Sequence, residues 1–318
     1  MNRREFITGA AASALAAGCA TRQAGKTPAA PAAATDGKPR FHVFSKMFQS
    51  PVTASPEALC DLMAAAGYDG VQWTVRKGGH ATPENAKAEL PRLVKVAAAH
   101  GLKCESICTD VTSDAAGRPG LTPRAEETLR VAADCGIKQF RPAYFFYDAK
   151  TETFEQSRER IRRGFANLAA LGARTGVKAS YQNHSSWGPS VFGGLVWDVY
   201  DCIRDLDPHD VGLEYDPMHA FFETNLSWTH GLDLVMPWIS TVDLKDFHFA
   251  LDPKNPKKMK KKMVAAGEGI VPWAEVRAHL DAAGVRPLYN LHFEYDFDKT
   301  DLAKTVKTEL DVFRKIFA

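Results

Sequence analysis

Four short stretches hold most of the chemistry open to this chain: Tyr181-Gln-Asn-His184, Glu214-Tyr-Asp-Pro-Met-His219, Asp243-Leu-Lys-Asp246 and Asn290-Leu-His-Phe-Glu294. Each closes a β-rich run with acids, amides or imidazoles. Side chains alternate across a strand, so residues two apart share a face. That rule pairs Gln182 with His184, Glu214 with Asp216, Asp243 with Lys245, and His292 with Glu294. Burying such groups without partners is costly, and a purely structural role gives no reason to gather them. A divalent ion would balance the charge. Carboxylates, an amide oxygen and imidazoles do not discriminate among Mn²⁺, Mg²⁺, Zn²⁺ and Co²⁺.

These groups need a scaffold that brings the ends of separate strands to one mouth. The chain has 318 residues, 45% hydrophobic and 25% charged, the composition of a globular protein with a buried core. Short β-rich runs begin near Phe41, Val71, Leu102, Ile137, Val177, Val211, Thr241 and Pro287, each followed by a segment of helical periodicity. Ser55-Pro56-Glu57 and Thr122-Pro123-Arg124 pair a cap with a proline at a helix start, and Gly67, Gly101, Gly136, Gly176 and Gly284 close helices before the next strand. Setting aside a leader of 38 residues leaves 280, near the roughly 250 of one (β/α)8 barrel. No Gly-x-Gly-x-x-Gly turn follows the first strand, which disfavours a dinucleotide-binding sheet. The expected fold is therefore α/β, a (β/α)8 TIM barrel forming a single domain over 40–318, with an open α/β sheet as the alternative. Barrel enzymes draw their catalytic groups from the C-terminal ends of the strands.

Upstream, Asn2-Arg3-Arg4-Glu5-Phe6-Ile7 sets a twin arginine before an Ala-rich run. This is the layout of a Tat export signal, expected over 1–21, with an Ala/Pro linker over 22–39 that lacks the apolar content to bury itself. Leu15-Ala16-Ala17-Gly18-Cys19 resembles a lipoprotein cleavage box, which makes Cys19 the candidate for a lipid anchor, against a plain cut near Ala20. The protein is thus expected in the periplasm or held at a membrane by lipid. Cys60, Cys104, Cys108, Cys135 and Cys202 lack zinc spacing and are expected as buried thiols. With 40 Lys+Arg against 38 Asp+Glu, the net charge of +2 offers nothing to nucleic acid. The run Asp252–Lys262, DPKNPKKMKKK, is expected as a solvated loop, with a basic lid over an anionic or polyhydroxy substrate as the alternative.

The segments Trp73-Thr-Val-Arg-Lys-Gly-Gly-His80, Tyr181-Gln-Asn-His184, Tyr215-Asp-Pro-Met-His219, Leu244-Lys-Asp246 and Gly267-Glu-Gly-Ile-Val-Pro-Trp273 resemble the sugar phosphate isomerase/epimerase family with a xylose isomerase-like TIM barrel. The resemblance spans nearly all of 40–318. It implies one divalent metal held from strands five to eight, the ligands carried over being Gln182, Asp216, Asp243 and Glu294. Gln182 stands where a Glu is common and Asp243 where a His is common, so the pair of glutamates that moves protons across a ketose carbon is incomplete. The implied activity is a metal-dependent sugar isomerase or epimerase that removes a proton beside a carbonyl of a small carbohydrate, through an enediolate. Glu294, His184 and His219 are the candidate bases, with Lys245 beside them. Arg76, His80, Arg141, Asp246 and His292 are candidate substrate contacts.

Two other readings stay open. Sugar phosphates are cytoplasmic, so an exported member of this family suits elimination on a 3-keto-glycoside, a lyase reaction. The alternative from another class is a sugar-binding barrel that lost its chemistry with Gln182. Near-neutral charge and the export signal speak against a nuclease on the same fold. Plainer uses also exist for each residue: Asp216 as a cap at Pro217, Glu294 as a partner of Lys245, Lys245 and Asp246 as an internal ion pair, and His184 as support for a neighbouring ligand. Replacing Arg3 and Arg4 by lysine is expected to block export, measured by fractionation; unchanged accumulation outside the cytoplasm would remove the twin-arginine assignment.

Overall fold

The computed structural model describes residues 38–112, 120–185 and 191–317; the signal of 1–21, with Cys19, and the linker as far as residue 37 lie outside them. Among the described residues, β1 (Arg40–Phe44), β2 (Gly70–Val75), β3 (Ser106–Thr109), β4 (Gln139–Arg141), β5 (Lys178–Gln182), β6 (Val211–Tyr215) and β7 (Ile239–Leu244) run parallel in chain order. After β8 (Asp246–Asp252) and β9 (Asn255–Val264), β10 (Leu288–Leu291) pairs with both β7 and β1 and closes the barrel. All eight expected barrel strands are present.

Around them lie α1 (Pro56–Ala66), α2 (Ala86–Ala99), α3 (Ala125–Asp134), α4 (Phe154–Thr175), α5 (Val196–Ile203), α6 (Pro217–Thr224), α7 (Trp228–Val235), α8 (Trp273–Ala282) and α9 (Leu302–Phe317). Ser55 caps α1 by accepting from Ala58 N at 3.2 Å, as its sequence predicts. Thr122 does not cap α3, which starts at Ala125 without a side-chain cap. Two helices rather than one follow β6, because Asp216 and Pro217 start a short helix that ends at Asn225, where φ is +43°. None of the described helices is long and apolar enough to cross a membrane.

Strand alternation divides the interior into two kinds of surface. Trp73, Tyr181, Leu213, Tyr215, Val242, Leu244 and Leu291 are fully buried and belong to the apolar core shared with the helices. The alternate residues Gln72, Ser106, Gln139, Ser180, Glu214, Thr241, Asp243 and Asn290 are polar and also buried. They bond to one another inside the barrel, leaving Asn290 Oδ1 without a partner: Gln72 Nε2 donates to Ser106 Oγ at 3.1 Å and Glu214 Oε2 at 3.0 Å, Asn290 Nδ2 donates to Gln72 Oε1 at 3.1 Å, and Gln139 Nε2 donates to Thr241 Oγ1 at 2.8 Å. Barrel interiors are usually filled by branched aliphatic side chains. Here hydrogen bonds do that work.

The lysine-rich run departs from its expected loop. β8 and β9 form an antiparallel hairpin outside the barrel, turning between Asp252 and Asn255. Its base is apolar: Phe247 is buried, and Phe249 stacks on Phe222 with centroids 5.4 Å apart. Alternation of Phe247 and Phe249 with polar neighbours is a strand signal, outweighed in the sequence reading by the charge of the run.

Asp246, read from sequence as a substrate contact, anchors this hairpin instead. Its buried carboxylate accepts from Phe247 N at 3.0 Å, and from Gly267 N, Val271 N and Trp273 Nε1 at 3.2 Å each. The chain passes so close that a Cβ on Gly269 would lie 1.9 Å from Asp246 Oδ1. Asp246→Ala would leave four donors without their anionic acceptor, so a loss of about 3 kcal/mol in unfolding free energy is expected by denaturant titration.

Candidate functional site

At the C-terminal end of the barrel, the arrangement starts from Arg141, the last residue of β4, which is buried. Its guanidinium lies 4.3 Å from the centroid of the Phe44 ring, a cation–π contact. Nη1 donates to Gln182 Oε1 and to Glu214 Oε1, both at 3.1 Å, while Nε and Nη2 donate to Cys108 Sγ at 3.3 and 3.1 Å. The Tyr144 hydroxyl also donates to Gln182 Oε1. A guanidinium has no acceptor, so the amide oxygen of Gln182 must face it. Its Nε2 must then face the carboxylates, donating to Asp243 Oδ2 at 2.6 Å and Asp216 Oδ2 at 3.0 Å.

Nearer the mouth, Lys245 is the second buried cation. Its Nζ lies 3.0 Å from Asp216 Oδ2, 3.0 Å from Glu294 Oε2 and 2.9 Å from His219 Nε2. Despite burial, the carboxylates hold its pKa above the usual lysine range, and Lys245 in turn holds Glu294 well below the usual carboxylate range. Ammonium only donates, so His219 Nε2 is bare and its Nδ1–H donates to Ser185 Oγ at 2.6 Å. Glu294 accepts a second bond from Lys46 at 3.1 Å. Asp216 is also a cap, accepting from His219 N at 3.1 Å. Two plainer uses, the cap and the Lys245–Glu294 pair, are thus real. The third is not, because Asp246 is spent on three backbone N–H groups and the Trp273 indole.

Of the four residues carried over as metal ligands, three are in contact and Glu294 joins them only through Lys245. That ring suits an ion poorly: Gln182 presents its NH₂ group inward, and the ammonium of Lys245 lies between Asp216 and Glu294. A deeper set fits better. Glu214, Asp243 and His292 each offer a ligand atom, all within 4.8 Å of one another and all buried. Burial and the neighbouring Asp243 push Glu214 up to about 8, and burial pushes Asp243 up to about 6, as expected for carboxyls short of positive charge. Burial and then Lys245 hold His292 down to about 3, leaving a neutral imidazole, and its buried Nδ1 has no hydrogen-bond partner. Two carboxylates and an imidazole match the donors that a hard or borderline divalent ion accepts.

A cavity of about 300 Å³ opens above this network, lined by Lys46, Arg76, Arg141, Tyr144, Gln182, His184 and Glu294 among others. Its volume is at the small end for small-molecule sites, which suits a monosaccharide. Other predicted residues stay outside its walls. His80 binds Ser45 Oγ at 3.2 Å and Thr74 Oγ1 at 3.0 Å through Nδ1, and burial pushes it down to about 4, so it braces the first two strands and does not line the cavity. His219 and His292 lie behind the wall. His184 lines it with its ring 3.8 Å from that of His219 and its Nδ1–H donating to Ser185 O at 2.7 Å; burial, then Lys245, holds it down to about 2. The sequence reading left out Glu214, Gln72, Asn290, Tyr144 and the role of Cys108. For Glu214 the signal was present, since it shares a strand face with Asp216.

A family profile described as xylose isomerase-like TIM barrel matches residues 60–316. No curated protein sequence matches the chain. Among solved structures, a D-psicose 3-epimerase with D-tagatose from Clostridium cellulolyticum H10 superposes with a TM-score of 0.66 at 12% identity, covering 87% of this chain and 99% of that one. A 3-keto-D-glucoside 4-epimerase from E. coli gives 0.65 at 15%, with coverage of 87% and 100%. A xylose isomerase-like TIM barrel protein from Mycobacterium smegmatis in complex with magnesium gives 0.62 at 15%, with 88% and 98%. At these identities the likeness is one of fold.

Glu214 yields a pH prediction for protein stripped of divalent ions. Its pKa rises from 4.5 to about 8 on folding, so the stability it contributes is fully present below pH 4.5 and is lost as the pH climbs through about 8. Glu214→Gln should flatten that part of a melting-temperature profile; an unchanged slope would mean that Glu214 ionises freely in the folded barrel.

Proposed function

Because the chain belongs to the xylose isomerase-like TIM barrel family, we propose that it is a carbohydrate isomerase or epimerase that moves a proton beside a carbonyl group. One observation carries this reading: an ionised carboxylate, Glu294, and a buried guanidinium, Arg141, line the same sugar-sized cavity. Glu294 is the base. It takes the proton from the carbon next to the carbonyl, and its bonds to Lys245 and Lys46 fix where its oxygens lie. Arg141 and Lys245 supply fixed positive charge near the oxygens on which negative charge develops, the arrangement that most lowers barriers of this kind. His219 positions Lys245 and does not meet the substrate. A divalent ion, held by Glu214, Asp243 and His292, would add further positive charge beneath the same oxygens. The reading extends to an exported protein, directed by Arg3-Arg4 and carrying Cys19 as the site of a lipid anchor.

Proton exchange tests the chemistry. In D₂O, ketoses or 3-keto-glycosides incubated with the protein should gain deuterium at one carbon, and Glu294→Gln should slow that exchange by about 100-fold or more. Absence of exchange across the panel would reject the isomerase reading, and release of a leaving group would replace it with elimination. Metal analysis tests the ion. About one divalent ion per chain is expected, lost in Glu214→Gln and Asp243→Asn and kept in Asp216→Asn; the opposite pattern would move the ion to the mouth ring.

A further inference from the structure

Fifteen arginines lie among the described residues, and the side chains of fourteen of them hold an ion pair or a hydrogen bond. Arg76 is the exception, and it lines the cavity. The chain presents it from a stiff support. Arg76 N donates to Ala81 O at 2.9 Å, Ala81 N donates to Thr74 O at 3.1 Å, and Gly79 N donates back to Arg76 O at 2.8 Å. Gly78 has a φ of +68°, and a Cβ on Gly79 would lie 2.7 Å from Thr74 O, so two glycines are needed to close this turn. A long cationic side chain is thus held at the wall of a polar cavity, from a braced turn, without a counter-ion. Such an arrangement is preorganised for an anion, because the turn is ordered before anything binds.

A second observation points the same way. The β8–β9 hairpin carries six lysines, Lys254, Lys257, Lys258, Lys260, Lys261 and Lys262, in a chain whose net charge is only +2. Lys261 reaches back to the mouth, donating to Ser185 Oγ with its ammonium 4.8 Å from the centroid of Phe222. Five others stay exposed on the ribbon. A cluster of one sign beside a cavity raises the local concentration of ligands of the opposite sign and speeds their capture.

The geometry points to an acidic sugar as the ligand: a carbohydrate whose carboxylate, matched to the fork of a guanidinium, is held by Arg76 while its carbonyl end lies toward Arg141 and Glu294. This rests on reading the cavity as a sugar site. The hairpin lysines steer the ligand in and do not hold it.

Equilibrium binding to the purified full chain tests this without turnover. The probes are a hexuronate, the hexose of the same ring configuration, the corresponding hexose phosphate and inorganic phosphate alone. The hexuronate should bind at least about tenfold more tightly than the neutral hexose, and tighter binding of the hexose phosphate than of the hexuronate would overturn the carboxylate assignment. Arg76→Gln should bring the acidic sugar down to the affinity of the neutral one, and Arg76→Lys should restore part of the difference. Lys257→Gln combined with Lys258→Gln and Lys260→Gln should leave the equilibrium preference in place and reduce the salt dependence of the association rate. Equal affinity for acidic and neutral sugars, an equal loss of both in Arg76→Gln, or no sugar binding at all would overturn the proposal. Tight binding of an acidic sugar that gains no deuterium would keep it and remove the isomerase reading instead.

Discussion

Arg141 holds the inside of this barrel together. Its guanidinium joins β3, β4, β5 and β6 by donating to Cys108, Gln182 and Glu214 while resting on Phe44 of β1. An isolated charge at that depth would be prohibitive; its cost is offset because nearly every donor meets an acceptor. The orientation of Gln182 follows from Arg141, and the contacts of Asp216 and Asp243 follow from Gln182. Because the interior is polar, no inward side chain can be exchanged without stranding a neighbour.

The site reconciles four carboxylates with two buried cations, and it does so in two tiers. Lys245 serves the upper tier, between Asp216 and Glu294, where a flexible ammonium with three donors meets three acceptors. The lower tier, Glu214 with Asp243, lies against Arg141 on one side only, and both of its carboxyls are shifted up. At the mouth two ammonium groups, Lys245 and Lys46, face Asp216 and Glu294, whereas below it Glu214 and Asp243 share one guanidinium, which is why the lower tier is the better place for an ion.

The barrel was legible because its signals are local. Strand runs, the Ser55 cap and the glycines at helix ends each depend on a few adjacent residues, and β1 to β7 and β10 stand where those runs predicted. The gathering of polar pairs at one mouth was legible as well, since it needs only alternation. What alternation cannot supply is depth along the barrel or the partner of each group. Asp246 matched a motif yet turned to three backbone donors between 247 and 271 and to the indole of Trp273. His80 matched one too and became a brace. Gln72 and Cys108 lie on strands that carry no acid, and only cross-barrel contacts give them, and Asn290, a place in the network.

The hairpin also bears on how the molecule meets copies of itself. Beyond its packed base, where Ile270 N donates to Phe247 O, a two-stranded ribbon has open edges, and open edges invite another strand to pair. On β9 lysines fill five of the ten positions from Asn255 to Val264. Docking two such ribbons edge to edge would set ammonium groups opposite one another across a spacing of about 5 Å, a repulsive arrangement. Exposed Leu251 and Met259 add apolar surface to the same ribbon. The same charge that favours acidic ligands thus keeps the ribbon from seeding aggregation, and screening by salt would weaken that protection.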